Sequence, residues 1–247
     1  MATDTDTTEE PVGQRLGELV LTSSHVEEFL HDLSVEAAKE LSSAGQQVSC
    51  SVTLVRRKKA ATVASSDNRA RAMDEFQYTF QDGPCLSALR QDTTIHVPDL
   101  RREDRWPEYV AAVNEGTLKS VLAVPIPLDG NSRAALNLYS DGQEAFDAGA
   151  VTAAERFARD ASTSLRLALR IAQLTDARDD LATAMASRTV IDLAAGAIMS
   201  QNRCSQETAM EILKSASSTR NIKLRDVAAK VVASVAGDTP VSTHFDA

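Results

Sequence analysis

Eight side chains towards the C-terminal end of the chain have the chemistry that a phosphate backbone calls for: Arg188, Arg203, Lys214, Ser218, Arg220, Asn221, Lys223 and Arg225. Guanidinium and ammonium groups hold phosphate oxygens, while a serine hydroxyl and an asparagine amide can read the edge of an unpaired base. Lys214 and Lys230 suit a solvated helix face equally well. No aromatic residue lies between 177 and 237, so base stacking there must use arginine planes. A second set, Phe76, Tyr78, Phe80, Asp82, Cys85, Arg105 and Trp106, combines rings with a few polar groups, as a small-molecule pocket does. Each of these has a structural reading too. Trp106 ahead of Pro107 can anchor a short helix in a core. Cys85 is either a thiolate favoured by a helix start or a buried, inert thiol.

Catalytic patterns do not accompany these residues. There is no H-E-x-x-H, no G-x-S-x-G and no phosphate loop, so no enzymatic activity is expected. His31 and His96 stand alone and do not make a haem site, and Cys85 by itself does not make a bilin attachment site. No metal or cofactor is evident beyond an unidentified small-molecule signal. Cys50, Cys85 and Cys204 are too scattered for a metal cluster or a disulfide framework, which suits a reducing cytoplasm.

At 247 residues, 43% hydrophobic and 25% charged, the composition is that of a soluble globular protein with room for two domains. Apolar stretches are short and interrupted by charge, none reaching the roughly 20 residues of a membrane span. The opening MATDTDTTEEPVG is acidic, unlike a secretory signal. A net charge of −9 argues against coating nucleic acid nonspecifically. The charge is uneven: residues 177–237 hold eight basic against six acidic side chains, a surplus of two, leaving −11 on the rest. An acidic body joined to a mildly basic interaction module fits that asymmetry.

The elements that position these residues follow from periodicity. Leu16, Leu19 and Val20, then Val26 to Leu41, have helical spacing, with Ser24 as an N-cap and Gly45 as a stop. Val48, Cys50, Val52 and Leu54 alternate as one face of a strand, and ATVASS is its partner across a turn at 57–59. A loop should then lead to a short helix opened by Gly83-Pro84. Thr94 to Val97 reads as a short strand, and Pro107 opens a helix ending near Gly116. Two further strands, Ser120 to Ile126 and Ala134 to Tyr139, meet across Asp129-Gly130-Asn131. An α+β fold results, an antiparallel sheet with packed helices. From Ala148 a long helical pattern follows, in which Leu167, Ile171, Leu174, Arg178, Leu181, Met185 and Arg188 form a heptad seam interrupted by two arginines. The seam predicts a homodimer through a coiled coil; the alternative is a helix packed on its own domain. Three helices close the chain, the second capped by Ser205 and ended by Asn221. Ala209, Ile212, Leu213 and Ala216 are expected on its inner stripe, and Val227, Ala228, Val231, Val232 and Val235 on that of the third.

The segments GPCLSAL (83–89), DLRREDRWPEYV (99–110), SVLAVPIPLDG (120–130) and ALNLYS (135–140) resemble a GAF domain of the form common in actinobacterial regulators, over roughly His25 to Leu174. That resemblance implies a six-stranded antiparallel sheet with helices behind it and a pocket on the other face. Ile191, Ala194, Ala195, Gly196, Ile198 and Met199, then Ala209, Leu213, Ser215, Asn221 and the KLRDVA run (223–228), resemble the ANTAR domain of antitermination regulators, over about Ser187 to Val235. Ala195 stands where that family often has lysine.

The ANTAR resemblance implies binding to paired stem-loops in nascent mRNA, each with a six-nucleotide loop, which keeps the terminator hairpin from forming. The expected organisation is a disordered tail (1–12), a GAF-like sensor (13–160), a coiled-coil linker helix (161–187), an ANTAR three-helix bundle (188–237) and a flexible tail (238–247). DNA binding by a helix-turn-helix, and a scaffold acting through a protein partner, remain the alternatives.

Overall fold

The computed structural model describes residues 10–43, 45–56, 59–113, 117–130 and 132–236. Both expected tails fall outside this range apart from residues 10–12, and the turn at 57–59 is described only from Lys59. The chain divides into two compact units, residues 1–172 and 173–247.

In the first unit the strands β1 (Ser49–Arg56), β2 (Lys59–Ser65), β3 (Ile95–Val97), β4 (Ser120–Ile126) and β5 (Arg133–Ser140) form an antiparallel sheet in the order β2-β1-β5-β4-β3. Five strands are found among the described residues where the GAF resemblance implied six. The alternation along each strand gives the sheet two different faces. Cys50, Val52 and Leu54, Leu122, Val124 and Ile126, and Ala134, Leu136 and Leu138 all enter one apolar core. That core is closed by α1 (Val12–Thr22), α2 (Val26–Glu40) and the start of α6 (Ala148–Asn202), whose Ala154, Phe157, Ala158, Ala161, Leu165, Ala168 and Leu169 recur at helical spacing.

The opposite face carries Ser49, Ser51 and Thr53, Val121 and Ala123, and Ala135, Asn137 and Tyr139. It is covered by α3 (Asn68–Phe80), α4 (Pro84–Gln91) and α5 (Pro107–Val113). Helices therefore pack on both faces.

Helix α3 replaces the expected loop after β2. It starts because Asp67 is extended and its carboxylate accepts from the backbone N–H groups of Arg69 and Ala70, at 2.9 and 3.0 Å. Its apolar periodicity is weak, since Asp74 and Gln77 occupy inward positions that a core would give to hydrophobes. Two helix limits also differ from expectation. Helix α2 is preceded by His25 at the N-cap, Ser24 contributing only its N–H to Glu28. The helix stops at Glu40, well before Gly45, which takes φ 86° in the turn beyond.

In the second unit the end of α6, α7 (Gln206–Arg220) and α8 (Leu224–Ala236) share a core of Ala194, Ala195, Ile198, Ala209, Leu213, Val227 and Ala228. Ser205 caps α7 through the Thr208 N–H at 3.2 Å, and Asn221 ends it in the left-handed conformation at φ 50°. Two residues placed inside by spacing are exposed, Ile212 at 40% and Val235 at 52%. A three-helix unit this small has a narrow core, and alanines fill it.

Helix α6 also holds an 18-residue window of mean hydropathy 1.3, so by length and composition it is apolar enough to cross a membrane. No unbroken apolar run marks that window in the sequence; scattered alanines raise its mean.

Replacing Asp67 by alanine should lower stability by about 1 kcal/mol, the usual value of an N-cap. Urea unfolding of Asp67→Ala and Asp67→Asn checks this; the asparagine variant should keep most of the stability.

Candidate nucleic-acid interface and sensor site

The polar face of the sheet gathers side chains far apart in sequence around one carboxylate. Asp74 Oδ1 accepts from the Tyr139 hydroxyl, from Gln77 Nε2 at 3.3 Å and from Asn137 Nδ2 at 3.3 Å. Gln77 Nε2 also reaches the Tyr139 hydroxyl at 3.2 Å. Asn137 Nδ2 reaches Ser51 Oγ at 3.2 Å and Thr53 Oγ1 at 3.1 Å. Thr53 Oγ1 in turn meets Tyr78 Oη at 2.9 Å and the Cys85 thiol at 3.2 Å. Asp74, Gln77, Asn137, Tyr139 and Thr53 are all fully buried. Two atoms of this cluster's surroundings, Tyr109 Oη and Asn137 Oδ1, are buried with no hydrogen-bond partner among the described residues.

The GPC segment clamps this network. Gly83 has φ 144°, and a Cβ there would lie 2.6 Å from Gln77 Cγ. Gln77 Oε1 accepts from the Cys85 N–H at 2.7 Å. Glycine is needed at 83 for both reasons, conformation and close approach.

Burial, then the Asp74 charge, pushes the Cys85 thiol up to about 12, and the same two causes hold Tyr109 and Tyr139 well above the ordinary phenol range. The position of Cys85 at a helix start does not yield a thiolate, because burial and the Asp74 charge both favour the thiol.

Of the seven residues expected to line a pocket, the structure brings Tyr78 and Cys85 to this cluster. Trp106 is buried nearby, its Nε1 donating to Ser87 Oγ at 3.1 Å. Arg105 lies outside, stacked 4.4 Å over the Trp106 ring and paired with Glu103 at 2.6 Å. Asp82 pairs with Arg90 at 2.7 Å, Phe76 is 38% exposed, and Phe80 packs at the edge of the second core. His96 is held below its ordinary pKa by burial and by Arg105. Sequence reasoning missed Asp74, Gln77, Asn137, Tyr139 and Tyr109. The signal was available in β5, where Asn137 interrupts the apolar run from Ala134 to Leu138.

In the second unit all eight basic and polar candidates are exposed. They do not form one group. Arg203 precedes α7 and Arg220 ends it, so the length of this fifteen-residue helix, about 22 Å, lies between them. Lys214, Ser218 and Asn221 follow one face of α7 towards the turn that holds Lys223, and Arg225 opens α8. Arg225 is paired with Asp226 at 3.4 Å and Arg188 with Asp192 at 3.7 Å. Gly196 is exposed, and a Cβ there would meet nothing within 4 Å, so no close packing requires glycine. Ala195 is 2% exposed and belongs to the core, which explains a small residue there better than a lost basic contact does.

Residues 24–166, more than half of the chain, match the GAF domain family. The chain belongs to the GAF domain family. Residues 179–232 match the ANTAR domain. A GAF sensor domain followed by an ANTAR domain, a domain of RNA-binding antitermination regulators, is the architecture of a regulatory protein.

No curated protein matches the sequence. Among solved structures, the chain is similar to free methionine-R-sulfoxide reductase from Neisseria meningitidis in complex with its substrate, at 14% identity over 65% of this chain and 89% of that one, TM-score 0.46. It is also similar to the GAF domain of an Acinetobacter phosphoenolpyruvate-protein phosphotransferase (13%, 65% and 93%, TM-score 0.47). A third is an N-acylhomoserine lactone-dependent LuxR-family transcription factor from Burkholderia cenocepacia (12%, 66% and 96%, TM-score 0.49). None of these likenesses carries a ligand or an activity over to this chain. Among the described residues of the GAF and ANTAR domains, no three His, Cys, Asp or Glu side chains gather to hold a metal.

The GAF-domain thiols should be inert. Burial raises Cys50 as it does Cys85, while Cys204 in the ANTAR domain is half-buried. Iodoacetamide on the native protein at pH 8, read by mass spectrometry, should label Cys204 alone, with Cys50 and Cys85 reacting only after unfolding.

Proposed function

We propose that this chain is a homodimeric, non-enzymatic RNA-binding antitermination regulator of the cytoplasm, with its GAF domain as the sensor. The observation that carries the reading is the ANTAR match over 179–232, on a three-helix core whose exposed Arg220, Asn221, Lys223 and Arg225 cluster at the α7–α8 turn. Cations and an amide concentrated at one turn suit a hairpin loop, where phosphates and splayed bases are offered together. Held RNA stem-loops would keep the overlapping terminator from forming. Helix-turn-helix DNA binding is less well supported, because α8 turns apolar and alanine-rich after Arg225 and Asp226.

Dimerisation is read from the α6 seam. Leu167, Ile171, Leu174, Leu181 and Met185 are 45–61% exposed, and apolar side chains repeated at heptad spacing call for a partner helix. Two subunits then meet two hairpins. The domain limits that go with this reading are a sensor over 13–160, a linker helix over 161–187 and an RNA-binding domain over 188–237.

We infer that the signal binds at the polar face of the GAF sheet, where a small molecule with hydrogen-bonding groups would satisfy Tyr109 Oη and Asn137 Oδ1, buried without partners among the described residues. Its binding would alter α6, a helix that both domains share.

Full-length protein should bind a tandem-hairpin RNA far more tightly than duplex DNA of equal length at the same salt. Changing Arg220, Lys223 and Arg225 together to alanine should remove at least tenfold of that affinity without changing the fold. Equal binding to DNA, or an unaffected triple variant, rejects the reading. Separately, Leu174→Asp with Leu181→Asp should give a monomer in analytical ultracentrifugation that still binds a single hairpin but loses its preference for two.

A further inference from the structure

The face of α7 that spacing had turned inwards is partly open to solvent. Ile212 is 40% exposed, and with Ser215, Ala216 and Thr219 it floors a shallow depression of about 520 Å³. Glu211 and Arg220 border it, and neither has an ion-pair partner among the described residues. On a helix, 212, 215, 216 and 219 share one face, so Ile212 and Ala216, flanked by the hydroxyls of Ser215 and Thr219, lie between an acid and a base.

We propose that this face of α7 receives one unpaired base of the RNA loop. The proposal rests on the RNA-binding reading above and adds the subsite within it. The base lies against the Ile212 side chain and Ala216, in the place that an aromatic platform takes in other single-strand binders. No aromatic side chain exists between 173 and 236, so an exposed aliphatic surface beside a cation is what this domain offers a base. Arg220 meets the adjoining phosphate, continuous with Lys223 and Arg225 beyond the turn. The Glu211 carboxylate only accepts hydrogen bonds, so it selects a base edge bearing an amino group and disfavours a phosphate.

A second copy of the chain fits this face less well. One face of a single fifteen-residue helix offers far less than the roughly 800 Å² per partner of a stable protein interface. It is enough for one base.

The test is a double-mutant cycle on full-length protein, using the tandem-hairpin RNA that binds in the experiment above and a series of the same RNA with one loop base removed at a time. Ile212→Ala should weaken binding of the intact RNA about fivefold to tenfold, at the low end of what stacking on a side chain contributes. At one abasic position the wild-type protein should lose as much, and Ile212→Ala should lose nothing further. Glu211→Gln should reduce discrimination between amino-bearing bases and uracil at that same position.

Strictly additive losses at every position overturn the proposal while leaving RNA binding intact. So does an Ile212→Ala protein whose RNA affinity is unchanged but whose oligomeric state in ultracentrifugation shifts, which would give the face to a second copy. Failure of the wild-type protein to bind any hairpin removes the parent reading and this one together. Circular dichroism of Ile212→Ala, expected to match the wild type, separates lost contact from lost fold.

Discussion

A carboxylate with no access to water organises the GAF domain. Asp74 is fully buried, and Tyr139, Gln77 and Asn137 all donate to its Oδ1. These donors come from α3 and β5, and the asparagine ties the same centre to Ser51 and Thr53 on β1. Through Gln77 the network reaches the backbone of α4. These elements are therefore registered against one another by groups that are costly to leave unmatched, because an unsatisfied buried polar atom costs about 1–3 kcal/mol and a buried charge more. Apolar packing alone would tolerate small shifts of these helices; directional bonds to one oxygen do not.

That constraint bears on sensing. The sheet's other face is an apolar core shared with α1, α2 and α6. The polar face is different. It keeps Tyr109 Oη and Asn137 Oδ1 buried and without hydrogen-bond partners among the described residues, beside the network centred on Asp74. A ligand contacting Asn137 Oδ1 would act on a side chain already bonded to α3 and β1. Chemistry at Cys85 has no place in this, since burial and Asp74 keep its thiol protonated.

Much of the fold was legible from periodicity. Alternation at Val48–Leu54 located β1, because one face of it is wholly apolar, and the apolar segments 120–126 and 134–139 on either side of turn residues located β4 and β5. Ser205 and Asn221 marked the ends of α7, because capping chemistry is local. Helix α3 was not legible. Its inward positions are Asp74 and Gln77, and a helix whose buried face is polar leaves no apolar stripe to read. Ile212 misled in the opposite sense. It shares helical spacing with Leu213 and Ala216, yet a core filled by alanines has no room for it.

By itself, the sequence determined the two kinds of unit, the long helix between strands and terminal helices, and the basic C-terminal residues, since each rests on local pattern or on charge that can be counted. Tertiary structure decided which polar residues meet. Positions 53, 74, 77, 85, 137 and 139 converge only because strand order places β1 beside β5 and lays α3 and α4 across them.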